Sequence, residues 1–131
     1  MLGPIGTAAL HAASESGLVI PRPGLGGWAL LNALLLAPVI EEIVFRGGLQ
    51  EALDRTDIGG RIHCGGLSIG NVVTSAVFSA AHLITAPPWL AIGTFFPSLV
   101  FGRLKQLYPS LLPAVLVHGW YNACFFAAAV W

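Results

Sequence analysis

The stretch Trp28-Ala-Leu-Leu-Asn-Ala-Leu-Leu-Leu-Ala-Pro-Val-Ile40 runs directly into Glu41-Glu42-Ile-Val-Phe-Arg46. Thirteen positions with one polar side chain are thus followed by two acids and a base. At membrane depth each such charge costs roughly 2.5–3.5 kcal/mol on insertion scales, so intramembrane charges normally face a bundle interior or a wet cavity. The stretch therefore predicts a membrane helix that carries functional groups on one inward face.

The rest of the chain agrees with an apolar setting. Of 131 residues, 56% are hydrophobic and 9% are charged, far below the usual quarter of charged residues in soluble domains. The length suits a single domain. A formal net charge of zero leaves no basic patch to neutralise phosphates, which excludes nucleic acid as a partner. Cys64 and Cys124 form no CxxC and suggest neither a disulfide framework nor a zinc ribbon. His63-Cys64 is a metal-type pair, but two donors in a glycine-rich loop are weak grounds for a site. Residues 1–24 lack a basic leader, and His11, Ser14, Glu15 and Ser16 interrupt any apolar run, so no signal peptide is expected. That segment reads as interfacial or extramembrane, and residues 25–131 as the functional core.

A spanning helix needs about 20 mostly apolar residues. Four segments approach this: 25–42, continuing as helix to about 54; 68–86, stopped by Pro87-Pro88; 89–107, with a kink expected at Pro97; and 111–131. Small residues at four-residue spacing, Ala76 with Ala80 and Ser75 with Ser79, together with Gly102, predict close helix contacts. The fold class is all-α, a polytopic membrane bundle of about four transmembrane helices. Loops 55–67 and 103–110 fall on one side and carry Arg55, Arg61, Arg103 and Lys105, against Arg22 on the other side. The positive-inside rule then puts the basic loops in the cytoplasm.

The polar residues inside the spans show helical spacing. Glu42 and Arg46 are one turn apart on one face and can pair, whereas Glu41 is rotated by about 100° and is left freer. The bland alternative is a surface pair with a snorkelling Arg46. His82 shares a face with Phe78 in the second segment, and His118 shares one with Asn122 in the fourth. Taken singly, each is explained by interior packing or interhelical hydrogen bonds. Taken together, Glu41, His82 and His118 supply a carboxylate and two imidazoles from three segments, at similar estimated depth. Burial disfavours the charged forms of both groups, which keeps an imidazole neutral and able to accept a proton from water. His118 and the Asn122 amide can offer donors to a tetrahedral oxyanion, an effect worth about 2.7–4 kcal/mol per donor. Peptide hydrolysis by activated water is chemically complete with this set and requires no cofactor. Zinc held by Glu41, His82 and His118 is a weaker alternative on ligand type alone, since no HExxH occurs.

In order along the chain, Glu-Glu-x-x-x-Arg (41–46), Phe-x-x-x-His (78–82) and His-x-x-x-Asn (118–122) resemble the CAAX protease and bacteriocin-processing family of intramembrane proteases, also called the Abi family. The third segment, from Phe96 through Gly102 and on to Ser110-Leu-Leu-Pro113, is similar as well. The resemblance covers about residues 28–126. It implies a glutamate-dependent endopeptidase of a bacterial inner membrane. Glu41 with His82 would activate water, His118 with Asn122 would hold the oxyanion, and Glu42, Arg46 and Phe78 would support the site. The implied partners are the bilayer and a membrane-associated protein carrying a prenylated tail, a bacteriocin leader or a C-terminal sorting signal. The additional N-terminal spanning helices of many members are not seen here. A non-enzymatic immunity or scaffold protein of the same fold is the competing expectation.

Overall fold

The computed structural model of the chain describes residues 27–62 and 64–130. The interfacial segment expected over 1–24 lies outside these residues, as do His63 and the side chain of Cys64. The described chain is helical, with one isolated bridge pairing Ile62 and Ser68.

α1 covers residues 27–54 without a break, because the backbone stays helical at Leu31, Ala37, Ile43 and Glu51. It is not uniform. Over Asn32–Leu36 and again over Ile43–Gln50 the helix widens into π turns, a feature often found at functional positions. The first widened turn ends two residues before Pro38, whose ring removes one N–H and crowds the carbonyl four residues back. α2, Ile69–His82, begins at Ser68, whose Oγ accepts from the Asn71 N–H at 3.0 Å. That cap explains a sharp start after the glycine-rich loop.

The third segment departs from expectation. It splits into a short α3, Pro88–Gly93, and α4, Phe95–Leu107, with the break at Thr94 rather than at Pro97. A proline disrupts the helix N-terminal to itself, where its missing donor and ring act on residue 93, and it sits easily in the first turn of the helix that follows. Thr94 Oγ1 donates to the Ala91 carbonyl at 2.7 Å and closes the short helix. α5, Leu112–Val130, completes the bundle.

Among the described residues no helix is both long and apolar enough to cross a membrane. The physical reasons differ by element. α2, with 14 residues, spans about 21 Å against a hydrocarbon core of about 30 Å. The third segment is divided into helices of 6 and 13 residues.

Packing is inverted relative to a water-soluble globule. Among the described residues the buried polar or charged ones include Glu42, Arg46, Gln50, Asn71, Ser98 and His118, while the buried hydrophobic ones are Phe78, Ala91, Phe101 and Ala114. Meanwhile Trp28, Ile40, Ile84, Phe96, Leu116 and Trp120 each expose more than 60% of their surface. Helix contacts follow the polar interior. Ser75 is buried and donates to Asn71 Oδ1 at 3.2 Å, and Ser79 Oγ donates to the Ala91 carbonyl of α3 at 2.8 Å. Ala76 and Ala80 are exposed, which corrects their expected place at a helix interface: they lie one position further round α2. Gly102 permits the closest approach of α4, since a Cβ there would overlap the Asn71 side chain and come within 2.7 Å of Gln50 Oε1. Gln50 Nε2 donates to the Gly102 carbonyl at 3.0 Å, and Asn71 Nδ2 to the Leu99 carbonyl at 3.1 Å. At the loop end, Arg103 Nη1 donates to the Gly66 carbonyl at 2.6 Å and Lys105 pairs with Glu51 at 3.2 Å. The basic end of α4 therefore meets the 55–67 loop and the end of α1 at one end of the bundle.

Candidate functional site

α1 delivers Glu41, Glu42 and Arg46; α2 delivers Phe78 and His82; α4 delivers Ser98 and Phe101; α5 delivers His118 and Asn122. Glu42 is fully buried and both of its oxygens are engaged. Arg46 Nε donates to Oε2 at 3.2 Å, and His118 Nδ1 lies 2.9 Å from Oε1. Arg46 donates to one oxygen, and a carboxylate paired in this way accepts on the other. The partners therefore assign the Nδ1 proton to His118 and turn its Nε2 outward.

That outward nitrogen faces Glu41, whose Oε2 is 3.5 Å away. Glu41 is about one-third exposed at its side chain, in contrast to its buried neighbour. Adjacent positions on one helix thus present two acids to the two nitrogens of one imidazole. The ring itself is clamped. Phe101 stacks on it at 4.6 Å between centroids and 14° between planes, and Phe78 meets it edge-on at 5.8 Å. Offset or edgewise ring pairs of this kind each contribute about 0.5–1.5 kcal/mol beyond burial.

Arg46 is held on three sides. Besides Glu42, its Nη2 donates to Ser98 Oγ at 2.6 Å, and its Cζ lies 5.6 Å from the Phe78 ring centroid, in cation–π range. His82 packs against Phe78 at 4.4 Å, and its Nδ1 donates to the Phe78 carbonyl at 2.9 Å. A carbonyl cannot donate, so the neutral ring leaves Nε2 free to accept a proton. Phe78 therefore touches His82, His118 and Arg46 at once.

The spacing argument for Glu42 with Arg46 and for a freer Glu41 agrees with these positions. Glu41 and His118 are brought together. His82 is joined to them through the Phe78 ring, and among the described residues no hydrogen bond or ion pair links it to Glu41. Asn122 donates from Nδ2 to the Ala33 carbonyl of α1 at 2.8 Å, leaving its second amide hydrogen unassigned. Among the described residues no group of three or more His, Cys, Asp or Glu side chains is gathered closely enough to hold a metal ion. Glu41, His82 and His118 are accordingly not arranged as a zinc triad. Ser98 and Phe101 are additions that sequence reasoning misses. Neither is a titratable group, and the one available signal is a serine and a phenylalanine three apart on the segment between the two histidines.

A buried, fully paired acid orienting an imidazole, beside a second, accessible acid, is an arrangement able to move protons to and from water. This is the equipment of a hydrolase in an all-helical bundle. Residues 23–124 match the family model described as type II CAAX prenyl endopeptidase Rce1-like, and the chain belongs to that protease family. No curated protein and no solved structure is significantly similar to it.

Proposed function

We propose that the chain is an intramembrane endopeptidase that hydrolyses a peptide bond of a membrane-associated protein, with activated water as the nucleophile. The observation that carries this reading is the Glu41–His118–Glu42 arrangement, in which one acid is committed to structure and the other is accessible. An apolar exterior around a polar interior supports a setting in the bilayer, with the bundle rather than any single helix as the embedded unit. The meeting of the basic end of α4 with the 55–67 loop supports a single cytoplasmic end. The family description supports a substrate with a prenylated C-terminal tail.

In this mechanism Glu41 and His82 Nε2 take a proton from water as its oxygen attacks the scissile carbonyl. His118, fixed by Glu42 and by Phe101, presents Nε2 to the developing oxyanion when that nitrogen is protonated. The second Asn122 amide hydrogen is available for the same oxygen. Collapse of the tetrahedral intermediate breaks the C–N bond as the stored proton passes to the leaving nitrogen, giving a carboxylate and an amine. Arg46 and Phe78 act on the reaction only through Glu42 and the two imidazoles.

The test is cleavage of a co-expressed prenylated substrate by wild type, Glu41→Ala and His118→Ala, alongside the amount of each protein retained in membranes after alkaline carbonate washing. Both variants are expected to insert and to lose cleavage. Full cleavage by both would refute the assignment.

A further inference from the structure

The contact between Asn122 and Ala33 has a cause in the backbone of α1. In an ordinary helix the Ala33 carbonyl would accept from the N–H of residue 37. Here the Ala37 N–H is turned to Asn32, five residues back, in the widened turn. In that register the donor due to Ala33 would be residue 38, which is proline and has none. The Ala33 carbonyl is thus deprived of both the ordinary and the widened helical donor by one local feature. Asn122 Nδ2 stands at 2.8 Å in that place. Gly119, one turn earlier on α5, makes this approach possible, because a Cβ there would lie 2.6 Å from the Leu34 carbonyl oxygen. Within apolar surroundings a helix carrying proline survives where a neighbouring helix meets the carbonyls it frees.

We infer that Asn122 is a positioning residue whose amide stands in for the N–H that Pro38 lacks, locking the widened turn of α1 and thereby the rotation at which Glu41 and Glu42 meet His118. A widened turn inserts one residue, so restoring an ordinary turn would rotate everything after it by about 100° relative to what precedes it. Such a rotation would carry the two acids off the His118 ring. This inference rests on the proteolytic reading for its consequence but not for its geometry.

Pro38→Ala supplies an N–H at the deficient position and should make the Asn122 amide dispensable for the stability of the turn, though not for any contact it makes with the oxyanion. The experiment is a double-mutant cycle of Pro38→Ala and Asn122→Ala in the full chain in lipid nanodiscs. It reads the unfolding equilibrium by denaturant titration, and kcat and KM on a farnesylated peptide with a CAAX terminus. Asn122→Ala should shift the unfolding equilibrium by about tenfold in wild type and by less than about threefold in the Pro38→Ala background. In the cleavage assay kcat should fall with KM little changed, and Pro38→Ala should recover part of that loss. Equal losses in both backgrounds would overturn the inference. Asn122→Leu keeps the side-chain size but places no donor there, and should lose as much stability as Asn122→Ala. Wild-type stability in Asn122→Leu would overturn the inference even if the proteins carrying Pro38→Ala fail to fold. If wild type does not cleave the peptide, the proteolytic reading fails on that substrate while the unfolding cycle still decides the role of Asn122.

Discussion

Glu42→Gln separates the two tasks of the buried acid. The substitution keeps volume and shape but removes the charge that Arg46 faces at 3.2 Å and one of two acceptor oxygens. Arg46 and Glu42 side chains are both without exposure, so no solvent compensates. Removing one partner of such a pair destabilises by about 3–5 kcal/mol, because an uncompensated buried charge remains. At this chain length that amounts to a fall in Tm of about 10–20 °C. Replacing both partners is milder, since apolar side chains of similar volume substitute for a buried pair with little loss. Glu42→Gln with Arg46→Met should therefore regain most of the lost Tm. Activity should not return with it. His118 Nδ1, 2.9 Å from Glu42 Oε1, loses the carboxylate that fixes its proton, and the comparable Asp→Asn change in serine proteases lowers kcat by about 10⁴. Thermal unfolding in detergent and initial rates on a prenylated peptide are the two measurements. A Glu42→Gln protein that unfolds within about 3 °C of wild type, or that keeps its kcat, would refute the reasoning on charge burial or on imidazole orientation respectively.

Gly119→Ala should destabilise by about 1–3 kcal/mol, because the new methyl group meets the Leu34 carbonyl and not a movable side chain; circular dichroism melts of the purified variant check it. At the loop end, the hydrogen bond and charge of Lys105, with Arg55 beside it, hold the Glu51 carboxyl below its ordinary range. Its folded value lies below its unfolded one, so the resulting stability is fully present above the ordinary carboxylate range and is lost as pH falls through the lowered value. Lys105→Met should shrink that acid-side slope of Tm against pH while leaving the melt at neutral pH less affected than Glu42→Gln does.

The helices and half of the site were legible because they depend on local periodicity. Ser68 before an apolar run, Pro87-Pro88 after it, and the i,i+4 pairs Glu42/Arg46, Phe78/His82 and His118/Asn122 are all facts of one helix. Pro97 was legible as a breaker but not in position, since its effect falls on the residues before it. What spacing could not supply was the side from which each group is met. Ser98 reaches Arg46 across 52 positions of sequence, and Glu42 reaches His118 across 76. The same limit governed the two acids. Helix geometry says only that Glu41 and Glu42 point about 100° apart. Which of them is buried depends on where α5 lies against α1, and that in turn depends on Gly119 and on a widened turn ahead of Pro38. A proline in an apolar stretch reads from sequence as a defect in the helix. In the fold its missing donor becomes the place where the helix carrying His118 is attached. The chemistry of the acidic pair is therefore set by a backbone feature several residues upstream of it, where no charged side chain marks the spot.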